Sequence, residues 1–172
     1  MSNEMKLTPK QFVKKYYPYA RQTEIKTGMD ARFTLAQAAL ETGWGQFAPG
    51  NMFFGVKART DMPETKRQLL TTTEILSHPN AKFPEVMSIT PISGGRFKYI
   101  VKDWFRKYDS PEESFTDHAE LFLKNKRYAK ALDVRSDPYL FAEEVAKAGY
   151  ATAPDYADSL KKVIKTIENN FS

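Results

Sequence analysis

The sequence predicts an α+β fold in which a mainly helical lobe carries one small inserted antiparallel β-lobe. Apolar residues recur with helical spacing, between recognisable caps, near both ends of the chain. Between these parts, the sequence becomes richer in β-branched residues and contains a Gly-Gly turn. We therefore expect a single domain over residues 1–172. Its helical lobe comprises about 8–60 and 110–172, and its β-lobe about 61–109.

The composition agrees with a folded domain outside the membrane. The 172 residues are 41% hydrophobic and 13% aromatic, which is enough to bury a core. The apolar runs all fall short of the ~18 residues that a transmembrane helix needs, so we expect no membrane insertion. The N-terminus has no basic region followed by an apolar stretch, so we expect no Sec signal peptide. Either the signal was removed, or the protein is released by a phage or exported by a secretion machine.

Charge and cysteine content narrow the possible partners. A net charge of +5 favours polyanions, either nucleic acid or an anionic cell wall. The basic residues are scattered and form no basic face interleaved with aromatic residues, so we expect no nucleic-acid binding. We also expect the chain to be a monomer. Cysteine is absent, and His78 and His118 are far apart in sequence. We therefore expect neither a metal site nor a cofactor.

The first helix is predicted from its N-terminal cap. Thr8 and Gln11 form a Thr-x-x-Gln capping box, with Pro9 at the first helical position. Pro18 is expected to kink or break the helix, and Gly28 to close it.

The second helix is predicted to start after Asp30 and to run to Glu41. Apolar and small residues surround most of its circumference, which predicts burial. The Thr42-Gly-Trp-Gly45 sequence ends it.

The remaining elements follow from strand and cap signals. Residues 69–74 are predicted to form a strand, and 87–92 and 96–105 a hairpin around two glycines, with a loop at 78–84. The Ser110-Pro-Glu-Glu motif is a capping box that predicts a further helix. Asp137 precedes another helix that ends at Gly149, and the last helix follows Pro154.

Glu41 is the first candidate for chemistry. It lies at the C-terminal end of an apolar helix, where the helix dipole disfavours a carboxylate. Burial near Leu40 and Trp44 would disfavour ionisation further. Both effects raise the pKa, as a general acid working near neutral pH requires. The alternative is a glutamate that points into solvent at a helix end.

The surrounding sequence, Thr34-Leu-Ala-Gln-Ala-Ala-Leu-Glu-Thr-Gly-Trp-Gly-Gln46, resembles the signature of glycoside hydrolase family 73. This family comprises N-acetylglucosaminidases that include the flagellar peptidoglycan hydrolases. The glutamate of its Leu-Glu-x-Gly-Trp-Gly motif is the catalytic acid, and Glu41 occupies that place. The resemblance implies a lysozyme-like fold with the glycan groove between the two lobes, and peptidoglycan glycan strands as the substrate.

Three further segments resemble the family in order and approximate spacing. These are Phe54-Gly-Val-Lys-Ala58, Phe105-Arg-Lys-Tyr-Asp-Ser110 and Gly149-Tyr-Ala-Thr-Ala-Pro-Asp-Tyr-Ala157. Two departures concern the β-lobe side of the groove. Met52 stands where the family often has an asparagine, and the stretch between Glu74 and Phe105 is longer than in compact members.

The family's second carboxylate ends a Thr-Thr-Glu segment, which Thr71-Thr-Thr-Glu74 matches. Glu74 could activate a water from the opposite face of the sugar, the inverting arrangement. The alternative is that Glu74 only positions sugar while the substrate's N-acetyl group acts as nucleophile. Glu64, Glu85 and Asp103 are weaker substitutes.

The resemblance also implies that several aromatic and amide side chains contact the substrate. Tyr150 corresponds to the family's active-site tyrosine and could hydrogen-bond the N-acetyl group or orient the water. Trp44 could stack on a sugar or be buried, and Tyr156 could equally serve helix packing. Asn51 and Phe54 are expected to line the groove floor.

The resemblance therefore implies an endo-β-N-acetylglucosaminidase that degrades cell-wall peptidoglycan at the wall or in the periplasm, as autolysins and endolysins do. Two other functions stay open. A lytic transglycosylase also uses one glutamate on a similar fold, but releases an anhydro-muramic product. A catalytically silent glycan-binding module of a phage or secretion machine would need no acid such as Glu41.

Overall fold

The computed structural model describes residues 5–171, which divide into two compact units. Residues 55–108 form the sheet unit, and residues 5–54 together with 109–171 form the helical unit. The described residues contain five α-helices, all in the helical unit, and one three-stranded antiparallel sheet in the sheet unit. The predicted α+β class is therefore confirmed.

The helices of the helical unit are α1 Pro9–Thr27, α2 Ala31–Thr42, α3 Pro111–Lys124, α4 Pro138–Lys147 and α5 Tyr156–Glu168. They enclose one apolar core, to which every helix contributes buried side chains. The largest fully buried members of that core are aromatic or long aliphatic: Phe12, Phe33, Phe115, Phe122, Phe141, Met29, Leu35, Leu160, Ile164 and Ile167.

Helix α1 begins with the predicted capping box but does not break at Pro18. The Thr8 hydroxyl accepts the N–H of Gln11, and the Gln11 side chain accepts the N–H of Thr8. Of the kink or break predicted at Pro18, the break does not occur, since the helix continues through Pro18 to Thr27. Buried residues precede and follow the proline on the same helix face, and their packing offsets a cost of about 3 kcal/mol for an internal proline.

Helix α2 is buried as predicted, except at its last turn. Asp30 caps it by accepting the N–H of Arg32. From Phe33 to Ala39 each side chain is buried, whereas Leu40 is 41% exposed. Glu41 is exposed as well, whereas Thr42 is only 1% exposed, so the last turn of α2 lies at the border of the core with one face in solvent.

The cap of α3 differs in one detail from the predicted box. The Ser110 hydroxyl accepts the N–H of Glu113, but the Glu113 carboxylate accepts the N–H of Asp109 rather than that of Ser110.

In the sheet unit, β1 Arg67–Leu76, β2 Glu85–Ile92 and β3 Arg96–Arg106 pair in the order β1-β3-β2. Strands β2 and β3 form the predicted hairpin, which turns at Gly94 with φ of 79°. A bulge between Val86 and Ser88 shifts their register. Alternation along the strands places Glu74 and Asp103 on the same face of the sheet as the buried side chain of Tyr99.

No helix among residues 5–171 combines the length and the apolarity that a membrane span requires.

The end of α2 gives the first prediction. Gly43 has a left-handed backbone, with φ of 59°. A Cβ added there would lie 3.6 Å from its nearest neighbour, so the cost of Gly43→Ala is conformational rather than steric. We expect urea unfolding to show a loss of about 1–2 kcal/mol.

Gly43→Asn is the matched control, because asparagine tolerates the left-handed region better than alanine. Equal stabilities of the alanine and asparagine variants would contradict a conformational origin for the loss.

Candidate active site

Glu41 lies in the last turn of α2, immediately before the residues that end the helix. The Gly43 N–H and the Trp44 N–H both donate to the carbonyl of Ala39, which closes the helix end. The Thr42 hydroxyl donates to the carbonyl of Ala38 and accepts the N–H of Gly45 at 2.9 Å. The Glu41 side chain therefore leaves a rigid helix end at the border of the core.

The electrostatic environment of Glu41 suits a proton donor. Glu41 keeps an exposed surface, yet desolvation by the surrounding protein atoms raises the pKa of its carboxyl above the usual value for glutamate. A raised pKa keeps the carboxyl protonated to higher pH, as general acid catalysis requires. The predicted direction of the shift is confirmed, with desolvation as its cause.

Tyr150 is placed by a Schellman motif at the end of α4. The Tyr150 N–H donates to the carbonyl of Val145, and the Gly149 N–H to that of Ala146. Gly149 has φ of 89°, which only glycine adopts readily. The turn directs the half-buried Tyr150 ring against Phe122, with ring centroids 5.5 Å apart.

A buried amide connects Tyr150 and Tyr156. Gln37 lies on α2 one turn before Glu41, and its Nε2 donates to the Tyr156 hydroxyl at 2.9 Å. Its Oε1 lies 2.9 Å from His118 Nε2, which in turn is 3.3 Å from the Tyr150 hydroxyl. Residues from α2, α3, α5 and the end of α4 thus share one hydrogen-bond network.

Burial keeps the titratable members of this network neutral. It lowers the pKa of the His118 imidazole to about 3 and raises the pKa of Tyr156 to about 12. Desolvation also raises the pKa of Tyr150, to which the neighbouring Tyr156 and the charge of Glu41 contribute. The charge of Glu41 also contributes to the raised pKa of Tyr156, so both phenols lie within electrostatic range of that carboxyl.

The structure gives the other predicted residues of the helical unit different surroundings. Trp44 is partly buried and packs edge-on against Phe12, with centroids 5.4 Å apart. Phe54 is only 5% exposed, and its ring stacks on His118 at 3.7 Å, so little of it could reach a sugar. Asn51 lines a cavity of about 250 Å³ beside α1, whose lining does not include Glu41 or Tyr150.

In the sheet unit, Glu74 belongs to an ion-paired cluster. The Lys57 ammonium lies 2.6 Å from Glu74 Oε1 and 2.7 Å from Asp103 Oδ2. Partial burial of the ammonium is outweighed by these hydrogen bonds and charges, so the pKa of Lys57 is raised. Lys57 therefore stays charged and fixes one oxygen of Glu74 at all physiological pH values.

Sequence reasoning missed three of these residues. Gln37 and His118 are buried polar side chains within helix faces that are otherwise apolar, and that contrast was the signal that could have identified them. Lys57 follows the Phe-Gly-Val motif, but its pairing with Glu74 depends on strand register. Among residues 5–171, no cluster of three histidine, aspartate or glutamate side chains has the arrangement of a metal site.

Comparison with known proteins covers most of the chain. The family described as mannosyl-glycoprotein endo-beta-N-acetylglucosaminidase matches residues 17–169. The chain is 33% identical over 168 residues to the peptidoglycan hydrolase FlgJ of Vibrio parahaemolyticus, covering 94% of this chain and 48% of that protein. It is 32% identical over 140 residues to the exo-glucosaminidase LytG of Bacillus subtilis, covering 77% of this chain and 42% of that protein. The chain thus spans about half the length of the curated relatives it matches.

Solved structures show the same fold. A C-terminally truncated glycoside hydrolase domain of Salmonella typhimurium FlgJ is similar with a TM-score of 0.68 and 30% identity, covering 94% of this chain and 99% of that one. A mutant peptidoglycan hydrolase from Sphingomonas sp. A1 gives a TM-score of 0.65 at 29% identity, covering 94% and 97% of the two chains.

The neutral His118 predicts a pH dependence of stability. Its folded pKa is about 3, whereas an unfolded histidine titrates near 6.5. Between these values the unfolded chain binds a proton that the folded chain does not, so the free energy of unfolding falls as the pH is lowered from 6.5 towards 3. Near pH 5, urea unfolding should show that the free energy of unfolding changes more steeply with pH in the wild type than in His118→Phe. The difference in slope should correspond to the uptake of close to one proton on unfolding.

The phenylalanine keeps an aromatic ring against Phe54 but cannot titrate. Parallel pH profiles of wild type and variant would contradict a neutral buried His118.

Proposed function

The chain belongs to the mannosyl-glycoprotein endo-beta-N-acetylglucosaminidase family, and from this premise we propose that it is an endo-β-N-acetylglucosaminidase that hydrolyses the glycan strands of peptidoglycan. The family membership agrees with the resemblance inferred from the motifs around Glu41, Phe54 and Tyr150. Relatives named as peptidoglycan hydrolases and as a glucosaminidase support both the reaction and the cell wall as its site.

The observation that carries the proposal is the desolvated carboxyl of Glu41 beside two neutral phenols. Cleavage of a glycosidic bond needs a proton on the leaving-group oxygen, and a glutamate with a raised pKa supplies it near neutral pH. The Tyr150 and Tyr156 hydroxyls keep their protons throughout and can hold a polar substituent of the sugar. A glycan-binding module without catalysis would have no use for a raised pKa at Glu41.

For the second carboxylate we propose Glu74, held by Lys57 through one oxygen. Glu74 Oε2 makes no hydrogen bond to residues 5–171, which leaves it able to accept a proton from water. This pairing supports a role as general base of an inverting hydrolysis, in which a water attacks the anomeric carbon. In the substrate-assisted alternative, the N-acetyl oxygen attacks instead and Glu74 only positions the sugar.

Glu41→Gln should leave the fold unchanged and lower the release of muropeptides from purified peptidoglycan by about 10²–10⁴-fold, because the amide cannot donate the proton. Mass spectrometry of the products measures this loss. It should also show reducing-end N-acetylglucosamine in the wild-type digest.

Glu120→Gln is the matched control for this experiment, since Glu120 pairs only with Lys124 at the surface of α3. Activity of Glu41→Gln within a few-fold of wild type would contradict the assignment of the acid. Anhydro-muramic products would instead identify a lytic transglycosylase.

If Glu74 is the base, Glu74→Gln should reduce hydrolysis strongly, and added azide should restore turnover with a glycosyl azide of inverted configuration. A small anion can occupy the position of the water without needing deprotonation. NMR of the azide product gives the anomer, and Asp61→Asn, which changes an exposed carboxylate paired with Arg59 in the same unit, serves as the control.

Retention of configuration in the first wild-type product would rule out Glu74 as an inverting base. In that case we expect Tyr150→Phe to be more damaging than Glu74→Gln.

A further inference from the structure

The Gln37 amide restricts the direction in which the protons of its network point. Gln37 is fully buried; its amide nitrogen hydrogen-bonds Tyr156 and also acts on Tyr150, and its amide oxygen faces His118. Its Nε2 can only donate, so the Tyr156 oxygen must accept. Its Oε1 can only accept, so the facing nitrogen of His118 must carry a hydrogen.

The position of the His118 proton determines what Tyr150 can do. A neutral imidazole carries a single N–H, and here Gln37 Oε1 requires it on Nε2. The Tyr150 oxygen lies 3.3 Å from that same nitrogen, which then has no lone pair to accept the phenol proton. The Tyr150 oxygen therefore accepts a hydrogen bond from His118, and the Tyr150 hydroxyl proton is left to donate to another partner.

Both phenols thus have an oxygen turned to the protein and a proton left for a ligand. The imidazole stacks on Phe54 at an interplanar angle of 12°, which fixes the plane in which its ring nitrogens lie. The two phenol rings have centroids 5.5 Å apart and are tilted by 31°, so both side chains belong to the same part of the site.

We propose that Gln37 and His118 are positioning residues that make Tyr150 and Tyr156 paired hydrogen-bond donors beside Glu41, so that the site selects a sugar substituent with an acceptor oxygen. The acetamide carbonyl of N-acetylglucosamine has this chemistry, whereas the ammonium of a de-N-acetylated sugar does not. The choice of acetamide rests on the proposed function, but the direction of the protons does not.

The first experiment measures the tautomer of His118 without any substrate. Long-range ¹H–¹⁵N correlation spectra distinguish a protonated from an unprotonated ring nitrogen. The chain has two histidines, so a His78→Gln variant assigns the signals. We expect His118 to be neutral with its hydrogen on Nε2 from pH 5 to 8. A hydrogen on Nδ1 would overturn the proposal, since Tyr150 would then donate to Nε2.

The second experiment is a double-mutant cycle. Gln37→Met keeps a similar shape but has no N–H donor, so the Tyr156 oxygen loses the hydrogen bond that directs its proton to the ligand. We expect kcat/KM on acetylated peptidoglycan to fall about ten-fold, the scale of one directed hydrogen bond, with less discrimination against de-N-acetylated wall. In a Tyr156→Phe background, the same substitution should cause no further loss. Equal losses in the two backgrounds would overturn the coupling.

These two experiments separate the inference from the proposed function. Absence of wall hydrolysis with the Nε2–H tautomer would refute the function and leave the arrangement of the protons established. Hydrolysis with an Nδ1–H tautomer would refute the positioning role and leave the function. Thermal unfolding of Gln37→Met identifies any loss that comes from misfolding, and the tautomer measurement on the wild type does not depend on that variant.

Discussion

The buried amide of Gln37 is the interaction on which the arrangement of the site depends. An unpaired amide inside an apolar core costs about 1–3 kcal/mol at each unsatisfied end, so both of its partners must be in place. Those partners, Tyr156 on α5 and His118 on α3, also contact Tyr150. One side chain on α2 therefore sets the positions of three others, and Glu41 follows it one helical turn later. Apolar packing alone would bring the helices together without fixing these hydroxyls.

Two glycines place the reactive side chains at the edge of this core. Gly43 and Gly149 both have left-handed backbones at helix ends, with φ of 59° and 89°. Each ends a helix that contributes buried residues to the core, so residues within two positions of the glycine lie at the border of that core. Glu41 and Tyr150 occupy such positions. Partial desolvation without full burial is what lets a carboxyl have a raised pKa and still reach a substrate.

Helices, strands and caps could be predicted from the sequence because local signals determine them. The capping box at Thr8 and the Gly94 turn needed only neighbouring residues. Pro18 was misjudged because the buried faces on both sides of it act through tertiary packing, which a local rule does not include. Glu41 was found through its motif, whereas Gln37 and His118 were not, since their partners lie 119 and 81 residues away in the chain. The pairing of Lys57 with Glu74 likewise becomes visible only once the sheet is built.

The two carboxyl groups proposed for catalysis have opposite electrostatic surroundings. Desolvation acts on Glu41, where it favours the protonated form. Glu74 instead faces the Lys57 ammonium, a cation that two carboxylates keep charged and that attracts a negative oxygen. A general acid and a general base must differ in this way, because one has to hold its proton at the pH at which the other has lost it. Asp103 contributes to these surroundings because its carboxylate also pairs with Lys57 and helps to keep the ammonium charged. Asp103 is not the carboxylate that we propose to contact water. Lys57 holds Glu74 through one oxygen and so orients the carboxylate. An inverting base has to aim one oxygen at a water on the far side of the sugar, and a carboxylate held by a neighbouring ammonium is suited to that role.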